Sequence, residues 1–203
     1  MKVSTIQLAK ASAIIAEPTV RYDRVSILLH WTTAALVVLL WAIGQVIDFF
    51  PRGTPRVTAR SAHILLGVVL AVVLVTRIVW RLRSGRRLPL ATPGLMGYAA
   101  VIVHYGLYVL VATAVVFGIT NAWVRGDSIF GLFSIPKLMA GNTGLRETMG
   151  ELHELTANAV LIVAGLHAAA AMFHHFALRD EVLRRMLLAR ESSHSAAADR
   201  HAR

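Results

Sequence analysis

The chain has 203 residues, of which 56% are hydrophobic and only 16% are charged, and its mean hydropathy is +0.61. This composition is typical of a membrane protein and excludes an ordinary soluble domain. The chain has no cysteine, which excludes disulfides, iron–sulfur ligation and any cofactor attached through thioether bonds. The net charge of +10 would favour a nucleic-acid partner in a soluble protein, but here the basic residues flank apolar stretches, so membrane topology explains them better.

The first half of the chain predicts an extension and two spans. Residues 1–24 are weakly amphipathic, and their apolar patch is too short for a signal peptide, so we expect a cytoplasmic extension. A first span is predicted at about 25–50, with His30 and Trp31 in its first turns. A short, proline-containing loop follows, so the second span, at about 62–80, must be an antiparallel neighbour. His63 lies at its start and Arg77 near its end.

The second half predicts two more spans. The third runs from about 96 to 122 and carries His104 near its start. The longest loop, 121–151, is rich in aromatic residues and is expected at the membrane interface, folded over the mouth of the bundle. The fourth span begins at His153 and ends near residue 179. A basic helical piece is expected at 181–190, and the Ser/Ala/His/Arg-rich residues 191–203 are expected to be a disordered tail.

Basic residues set the expected topology. With the N-terminus inside, the inner segments hold 15 of the 21 Lys and Arg residues, and the outer loops hold six. The positive-inside rule therefore favours four spans with both termini in the cytoplasm. A re-entrant third segment is the alternative. Residues 25–190 are thus predicted to form an all-α, transmembrane four-helix bundle in a bacterial inner membrane.

The fourth span is apolar enough to cross a membrane, yet residues 153–175 contain four histidines. His153 and His167 are 14 residues apart. On a helix, residues at this spacing point within about 40° of the same direction and are separated by a rise of roughly 21 Å. One helix can therefore offer an imidazole to each of two sites. Gly165 and the alanines at 168–171 leave room beside His167 for something flat and wide, and haem iron accepts axial imidazole. A lone intramembrane histidine can also simply bond across helices, although such residues are usually functional.

The depths of the histidines in the membrane indicate which of them can lie opposite each other. His63 and His153 both open their spans from the outer side, and can face each other across an outer haem. His30 and His167 can share an inner haem. His174 lies on the same face as His167 at about the depth of His30, so depth alone does not choose between them. For His104 a cross-helix hydrogen bond is favoured over ligation, and His174 with His175 is expected to be an interfacial pair, lining a quinone or proton path.

The sequence resembles the bacterial cytochrome b561 family of dihaem membrane proteins over residues 21–188. The motifs that carry the resemblance are R-Y-D-R-V-S-I-L-L-H-W, S-A-H-I-L-L-G, R-I-V-W-R-L-R, H-E-L-T-A-N and G-L-H-A-A-A-A-M-F-H-H. Within that family the chain is most similar to superoxide oxidases, which pass electrons from periplasmic superoxide to ubiquinone. The resemblance implies two non-covalent haems b, with iron ligated by His63 and His153 in one and by His30 and His167 in the other.

That chemistry agrees with the residues. A bis-histidine haem has no open axial position and suits electron transfer. Basic side chains on the outer side can steer the superoxide anion; they are Arg52, Arg56, Arg60, Arg125, Lys137 and Arg146. A quinone needs an apolar cleft with a few polar contacts. The candidates for these polar contacts, or for contacts with the haem edge, are Arg77, Trp80 and His174.

Two other functions compete with this interpretation. The chain could be a cytochrome b anchor subunit that passes electrons from a periplasmic dehydrogenase or hydrogenase to quinone. It could instead be a structural or metal-handling membrane protein that uses the same histidines for zinc. The sequence leaves open the physiological electron donor, the quinone type, the redox potentials and the oligomeric state.

Overall fold

A computed structural model of the chain describes residues 21–86, 88–92, 94–137 and 142–188. Four long helices dominate it: α1 Arg24–Val46, α2 Thr54–Arg83, α3 Leu95–Arg125 and α4 Thr143–Phe173. All four are long and apolar enough to cross a membrane. A 3₁₀ turn at Ile47–Phe49 extends α1, and a π-helical turn at His174–Leu178 extends α4. The predicted all-α bundle of four spans is confirmed, and the third helix is continuous over 31 residues rather than re-entrant.

Two helices begin earlier than hydropathy predicted. The first turns of α2 lie in the expected loop, where Pro55 stands in the first turn and suits a helix start. The first turns of α4 also lie in an expected loop. There the side chain of Asn142 caps the helix by accepting a hydrogen bond from the Leu145 amide at 2.9 Å. Hydropathy marks the apolar part of each helix, so these polar first turns were missed.

The helices form a closed ring in which α1 packs on α2, α2 on α3, α3 on α4 and α4 on α1. A small core forms where all four meet, from Leu40, Leu70, Leu74, Val111 and Val160. Large apolar side chains point outward along the spans, with Val72 61%, Ile102 71% and Leu166 67% exposed. Such surfaces suit lipid, and the histidine levels lie above and below this central core.

The two ends of the bundle are named outer and inner after the topology that the sequence predicts. The outer end is closed by a two-stranded hairpin, β1 Ser128–Ile129 and β2 Phe133–Ser134. The fully buried hydroxyl of Ser61 on α2 accepts a hydrogen bond from the Phe130 amide at 2.8 Å. The same hydroxyl lies 3.1 Å from the Ser128 carbonyl and 2.7 Å from the Val57 carbonyl, either of which it can donate to. The expectation that the long loop folds over the bundle mouth is therefore correct.

The inner end is tied together by the carboxylate of Asp23. It caps α1 by accepting from the amide of Ser26 at 2.9 Å and from its hydroxyl at 2.7 Å. It also accepts from the indole of Trp80 at 3.0 Å and from the amide of Arg86 at 3.2 Å, both at the end of α2. Burial alone would raise the pKa of Asp23, but these hydrogen bonds outweigh it and lower the pKa to about 2.

The segment after α4 is not the helical piece predicted at 181–190. Arg179, with φ +53°, ends the helix, and the described residues up to 188 contain only a 3₁₀ turn at Arg184–Met186. The segment folds back over the inner end, where the indole of Trp31 donates to the Met186 carbonyl at 2.9 Å. The predicted tail at 191–203 and most of the predicted extension, residues 1–20, lie outside the described residues.

We predict that Ser61→Ala loosens the outer hairpin. The substitution leaves the Phe130 amide without its acceptor, which costs about 1–3 kcal/mol when the group is buried. Thermal unfolding in detergent should show a lower midpoint, and protease should cut residues 126–135 faster. Thr76→Ala is the matched control, since that hydroxyl bonds to the Val72 carbonyl of its own helix. Equal protease sensitivity in both variants would contradict the prediction.

A second prediction concerns the pH dependence of stability at the inner end. The pKa of Asp23 is lowered from 3.8 to about 2 in the folded protein, so its contribution is complete above the unfolded value and is lost as pH falls between these two values. The wild type should therefore lose stability over this window relative to Asp23→Asn, which keeps an acceptor for the cap but carries no charge. The measurement is the difference in unfolding midpoint between the two proteins at each pH. A difference in unfolding midpoint that does not change with pH would contradict this prediction.

Candidate haem sites

The outer histidine pair joins α2 to α4. The ring centres of His63 and His153 are 6.0 Å apart. A metal–imidazole bond is about 2 Å and the nitrogen lies about 1 Å from its ring centre, so two axial imidazoles place their centres roughly 6 Å apart. The spacing therefore fits one iron between the two rings. Because α2 and α4 are diagonal in the ring of helices, a group held there lies near the bundle axis.

Glycines on the other two helices flank this pair. A Cβ built on Gly118 of α3 would come within 3.0 Å of His153 Cε1, closer than side chains normally pack. A Cβ on Gly44 of α1 would lie 3.6 Å from His63 Cε1. Thus α2 and α4 supply imidazoles at this level, while α1 and α3 supply backbone without side chains. The glycines therefore let the two imidazoles lie close against the backbones of the neighbouring helices.

The hydrogen bonds of the outer pair leave a ligating nitrogen free. Nδ1 of His153 lies 3.0 Å from the Ala114 carbonyl, which can only accept, so Nδ1 carries the proton in this contact. The lone pair of Nε2 is then available to a metal, as in other ligating histidines whose second nitrogen is bonded to a carbonyl. Nδ1 of His63 is buried without a hydrogen-bond partner.

The inner cluster contains three imidazoles. His30 on α1 and His167 on α4 have ring centres 6.4 Å apart, a spacing that again fits a shared iron. His104 on α3 lies closer to His167, at 4.9 Å, which is too short for an iron between the two rings. Nδ1 of His104 bonds to the Ala100 carbonyl of its own helix at 2.6 Å, not across helices as expected. His167 rather than His174 therefore lies beside His30.

Arg77 is the charged neighbour of the inner pair. Its guanidinium donates to Nδ1 of His30 at 2.9 Å and stacks 5.0 Å from the ring centre of Tyr108. Since Arg77 can only donate, a neutral His30 in this contact carries its proton on Nε2. Ligation of iron through Nε2 requires the proton to sit on Nδ1 and this hydrogen bond to be released. Arg77 is thus the group that would have to release His30 before this imidazole could ligate a haem iron through Nε2.

The other two candidates for quinone or haem-edge contacts lie apart from the imidazoles. Trp80 bonds to Asp23 and lines, with Arg77 and Tyr108, a cleft of about 30 Å³, large enough for a water molecule. His174 pairs instead with the carboxylate of Asp180 in the turn after α4. Burial alone would raise the pKa of Asp180, but the hydrogen bonds from His174 and from the Val182 amide, together with nearby positive charge, outweigh it and lower the pKa.

Acidic partners neutralise part of the expected outer positive charge. Asp127 lies 3.5 Å from Arg60 and 3.4 Å from Arg125, and Asp48 lies 3.6 Å from Arg56. The cluster of Arg60, Arg125 and Asp127 therefore keeps one net positive charge. It lies just outside the outer histidine pair, because Arg60 precedes His63 by three residues, a rise of about 4.5 Å.

Sequence reasoning missed several residues of these sites. Gly118 reads as an ordinary small residue in an apolar helix, and nothing in the sequence signals its approach to His153. Asn121, one turn later, has a buried side-chain oxygen without a hydrogen-bond partner. An amide inside an apolar run could have signalled it.

The zinc alternative finds no support in the part of the chain that the structure describes. No three His, Cys, Asp or Glu side chains are arranged there to hold a metal ion. Structural zinc normally takes four protein ligands, and catalytic zinc takes three. Pairs of imidazoles instead suit an iron whose remaining ligands belong to a macrocycle.

Comparison with known proteins identifies the family of this chain. The family profile for prokaryotic cytochrome b561 matches residues 21–189. The chain is 33% identical over 171 residues to the probable superoxide oxidase CybB of Yersinia pestis, covering 82% of this chain and 96% of that protein. It is 30% identical to cytochrome b561 homolog 2 of Escherichia coli K12 over 82% of this chain and 91% of that protein. It is 28% identical to cytochrome b562 of Cereibacter sphaeroides over 82% and 94% of the two chains. The chain belongs to the prokaryotic cytochrome b561 family, and is therefore a bacterial membrane protein of haem-dependent electron transfer.

Proposed function

We propose that this protein is a superoxide:ubiquinone oxidoreductase that carries two haems b across the bacterial inner membrane. The observation that carries the proposal is the pair of histidine contacts, 6.0 Å apart at one level and 6.4 Å at the other. The two levels are separated by 14 residues of α4, a rise of about 21 Å. Two one-electron centres at these depths connect the two faces of a bilayer whose apolar core is about 30 Å thick.

The protein's own residues supply binding, orientation and charge. A bound haem supplies one-electron chemistry at its iron. His63 with His153 would hold the iron of one haem and His30 with His167 that of the other, a ligand set that suits electron transfer rather than oxygen binding. Gly44 and Gly118 leave room for the two imidazoles at the outer level.

The outer end is the proposed entry point for electrons. With both termini in the cytoplasm, the hairpin and the cluster of Arg60, Arg125 and Asp127 face the periplasm. Superoxide is an anion, and charge is costly in hydrocarbon, so it reaches an outer site far more easily than an inner one. The printed name of the Yersinia pestis relative supports this choice of donor.

The inner end is the proposed exit to ubiquinone held in the bilayer. Two superoxide anions each lose one electron and become dioxygen, and one quinone takes up those two electrons with two protons to become quinol. Arg77, Trp80 and His174 are the proposed polar contacts for the quinone or the haem edge. His174 with Asp180 provides a titratable pair on the cytoplasmic side of the inner histidines.

The second candidate function is a cytochrome b anchor subunit that passes electrons from a periplasmic dehydrogenase or hydrogenase to quinone. Its support is that other relatives carry plain cytochrome b names. The two functions differ in the need for a partner: the purified oxidase reacts with superoxide alone, whereas an anchor subunit requires its dehydrogenase.

We predict that the histidines lose haem in pairs. His63→Ala and His153→Ala should each remove the outer haem, and His30→Ala and His167→Ala the inner one, because each iron needs both imidazoles. The measurement is haem content per chain together with the low-spin absorption spectrum of each purified variant. His104→Ala is the control and should keep two haems, since its 4.9 Å spacing from His167 cannot bracket an iron. Loss of the inner haem in His104→Ala, with retention in His30→Ala, would reassign the ligand.

A fourth prediction tests steering by the outer cluster. Arg125→Gln removes a positive charge and should slow haem reduction by superoxide, whereas Asp127→Asn removes a negative charge and should speed it. Each effect should be on the order of 2–5-fold at about 0.01 M salt, where the Debye length is about 30 Å, and should vanish near 1 M, where it is about 3 Å. Stopped-flow absorption after a superoxide pulse measures the rate.

The two variants also separate steering from structural damage. Both substitutions break the same ion pair, so a structural role predicts slowing in both and no dependence on salt. Superoxide dismutase should abolish the reaction in every variant. Haem reduction that superoxide dismutase leaves unchanged would remove superoxide as the donor and favour the anchor function.

A further inference from the structure

A hydrogen bond crosses the bundle between the two histidine levels. The indole of Trp41 on α1 donates to the side-chain oxygen of Asn158 on α4 at 2.9 Å. Asn158 lies five residues after His153 and nine before His167, rises of about 7.5 Å and 13.5 Å along the helix. The half-buried indole is therefore held at a depth between the outer and inner pairs.

The core at the depth of this contact is aliphatic. The central core, with Leu40 next to Trp41 in sequence and Val160 two residues past Asn158, consists of leucine and valine. An amide at this depth is costly in an apolar environment, and its side-chain oxygen is satisfied by the indole of Trp41. The bond also fixes the orientation of a large aromatic ring at a depth between the two candidate haem sites.

We propose that Trp41 is the bridge through which electrons tunnel between the two haem sites, and that Asn158 is the positioning residue that holds the indole in place. This inference rests on the proposed two-haem function. In each event one electron leaves the outer site, which is oxidised, and arrives at the inner site, which is reduced. No covalent bond forms or breaks, no proton moves, and the indole is not itself oxidised.

The physical reason is the distance between the levels. Tunnelling falls steeply with the gap between donor and acceptor, and most steeply where the path crosses poorly packed space. A planar ring of nine atoms bridges such a gap better than separate aliphatic side chains, provided that its orientation is fixed. The alternative is that the bond serves only helix association, for which hydrogen bonds between membrane helices contribute on average about 0.6 kcal/mol.

The experiment uses the haem-loaded protein in sealed vesicles with its outer end exposed. External dithionite, which crosses membranes poorly, reduces the outer haem first, and rapid-scan absorption follows reduction of the inner haem as a second phase. The variants are Trp41→Leu, Trp41→Phe and Asn158→Leu. Trp123→Leu is the matched control, since that indole lies at the outer end of α3 and is 46% exposed. Haem content, midpoint potentials and unfolding temperature are measured for each.

Trp41→Leu should slow the second phase by about tenfold or more, because the loss of a well-placed group can lower a rate by this order of magnitude. The first phase, the haem content and the midpoint potentials should stay unchanged. Trp41→Phe should keep most of the rate because a ring remains. Asn158→Leu should give an intermediate rate and, in the haem-free protein, an altered tryptophan fluorescence spectrum that reports the released indole. Trp123→Leu should match the wild type.

Two outcomes overturn the bridge. One is an unchanged second phase in Trp41→Leu; the other is equal slowing in Trp41→Leu and Trp41→Phe together with shifted potentials, which indicates a structural role. If Trp41→Leu does not retain haem, the phenylalanine and Asn158 variants decide between the same outcomes. A wild-type protein that binds no haem, or whose inner haem is never reduced, overturns the proposed function itself and is recognised before any variant is compared.

Discussion

The constraint on which the structure depends is that an imidazole inside a bilayer must face the protein interior and find a partner there. α4 carries two such groups on one face, so it needs partners at two depths. Antiparallel packing supplies them, because α1 brings His30 to the inner level and α2 brings His63 to the outer one. The ring order of the helices makes the outer pair diagonal and the inner pair adjacent, so the two sites differ in shape although both use two histidines.

The ends of the bundle are held by hydrogen bonds and its middle by packing. The carboxylate of Asp23 joins the start of α1 to the end of α2, and the hydroxyl of Ser61 joins α2 to the outer hairpin. Between them the core consists of one or two side chains from each helix. This arrangement suits a protein that binds a cofactor. The hydrogen bonds hold the ends of the bundle in register, and few aliphatic side chains at the histidine levels would have to rearrange when a cofactor binds.

Spacing and depth predicted the bundle and placed His63 beside His153, because helix periodicity and membrane thickness are both fixed by geometry. They left both His167 and His174 as partners for His30, and the choice of His167 came from the family resemblance. The approach of His104 to His167, the bond from Arg77 to His30 and the glycine contact at His153 were not predicted. Each depends on which helices are neighbours and which rotamer a side chain adopts, and the periodicity of the sequence contains no information about either. The helix predicted at 181–190 failed for a related reason: the left-handed residue Arg179 and the contacts of the inner end override local propensity.

The charges near the two levels favour the proposed direction of electron flow. At the outer level, Arg60 and Arg125 share Asp127, so much of their field is cancelled close to its source. At the inner level, Arg77 contacts His30 and Tyr108, and it has no acidic partner among the residues that the structure describes. An added electron lowers the positive charge of the site that receives it, and an uncompensated cation in a low-dielectric interior stabilises that change more than a cluster whose charges partly cancel. Under the proposed function, Arg77 would favour the inner site as the electron acceptor, because its helix keeps the positive charge at that depth even if its hydrogen bond to His30 is released.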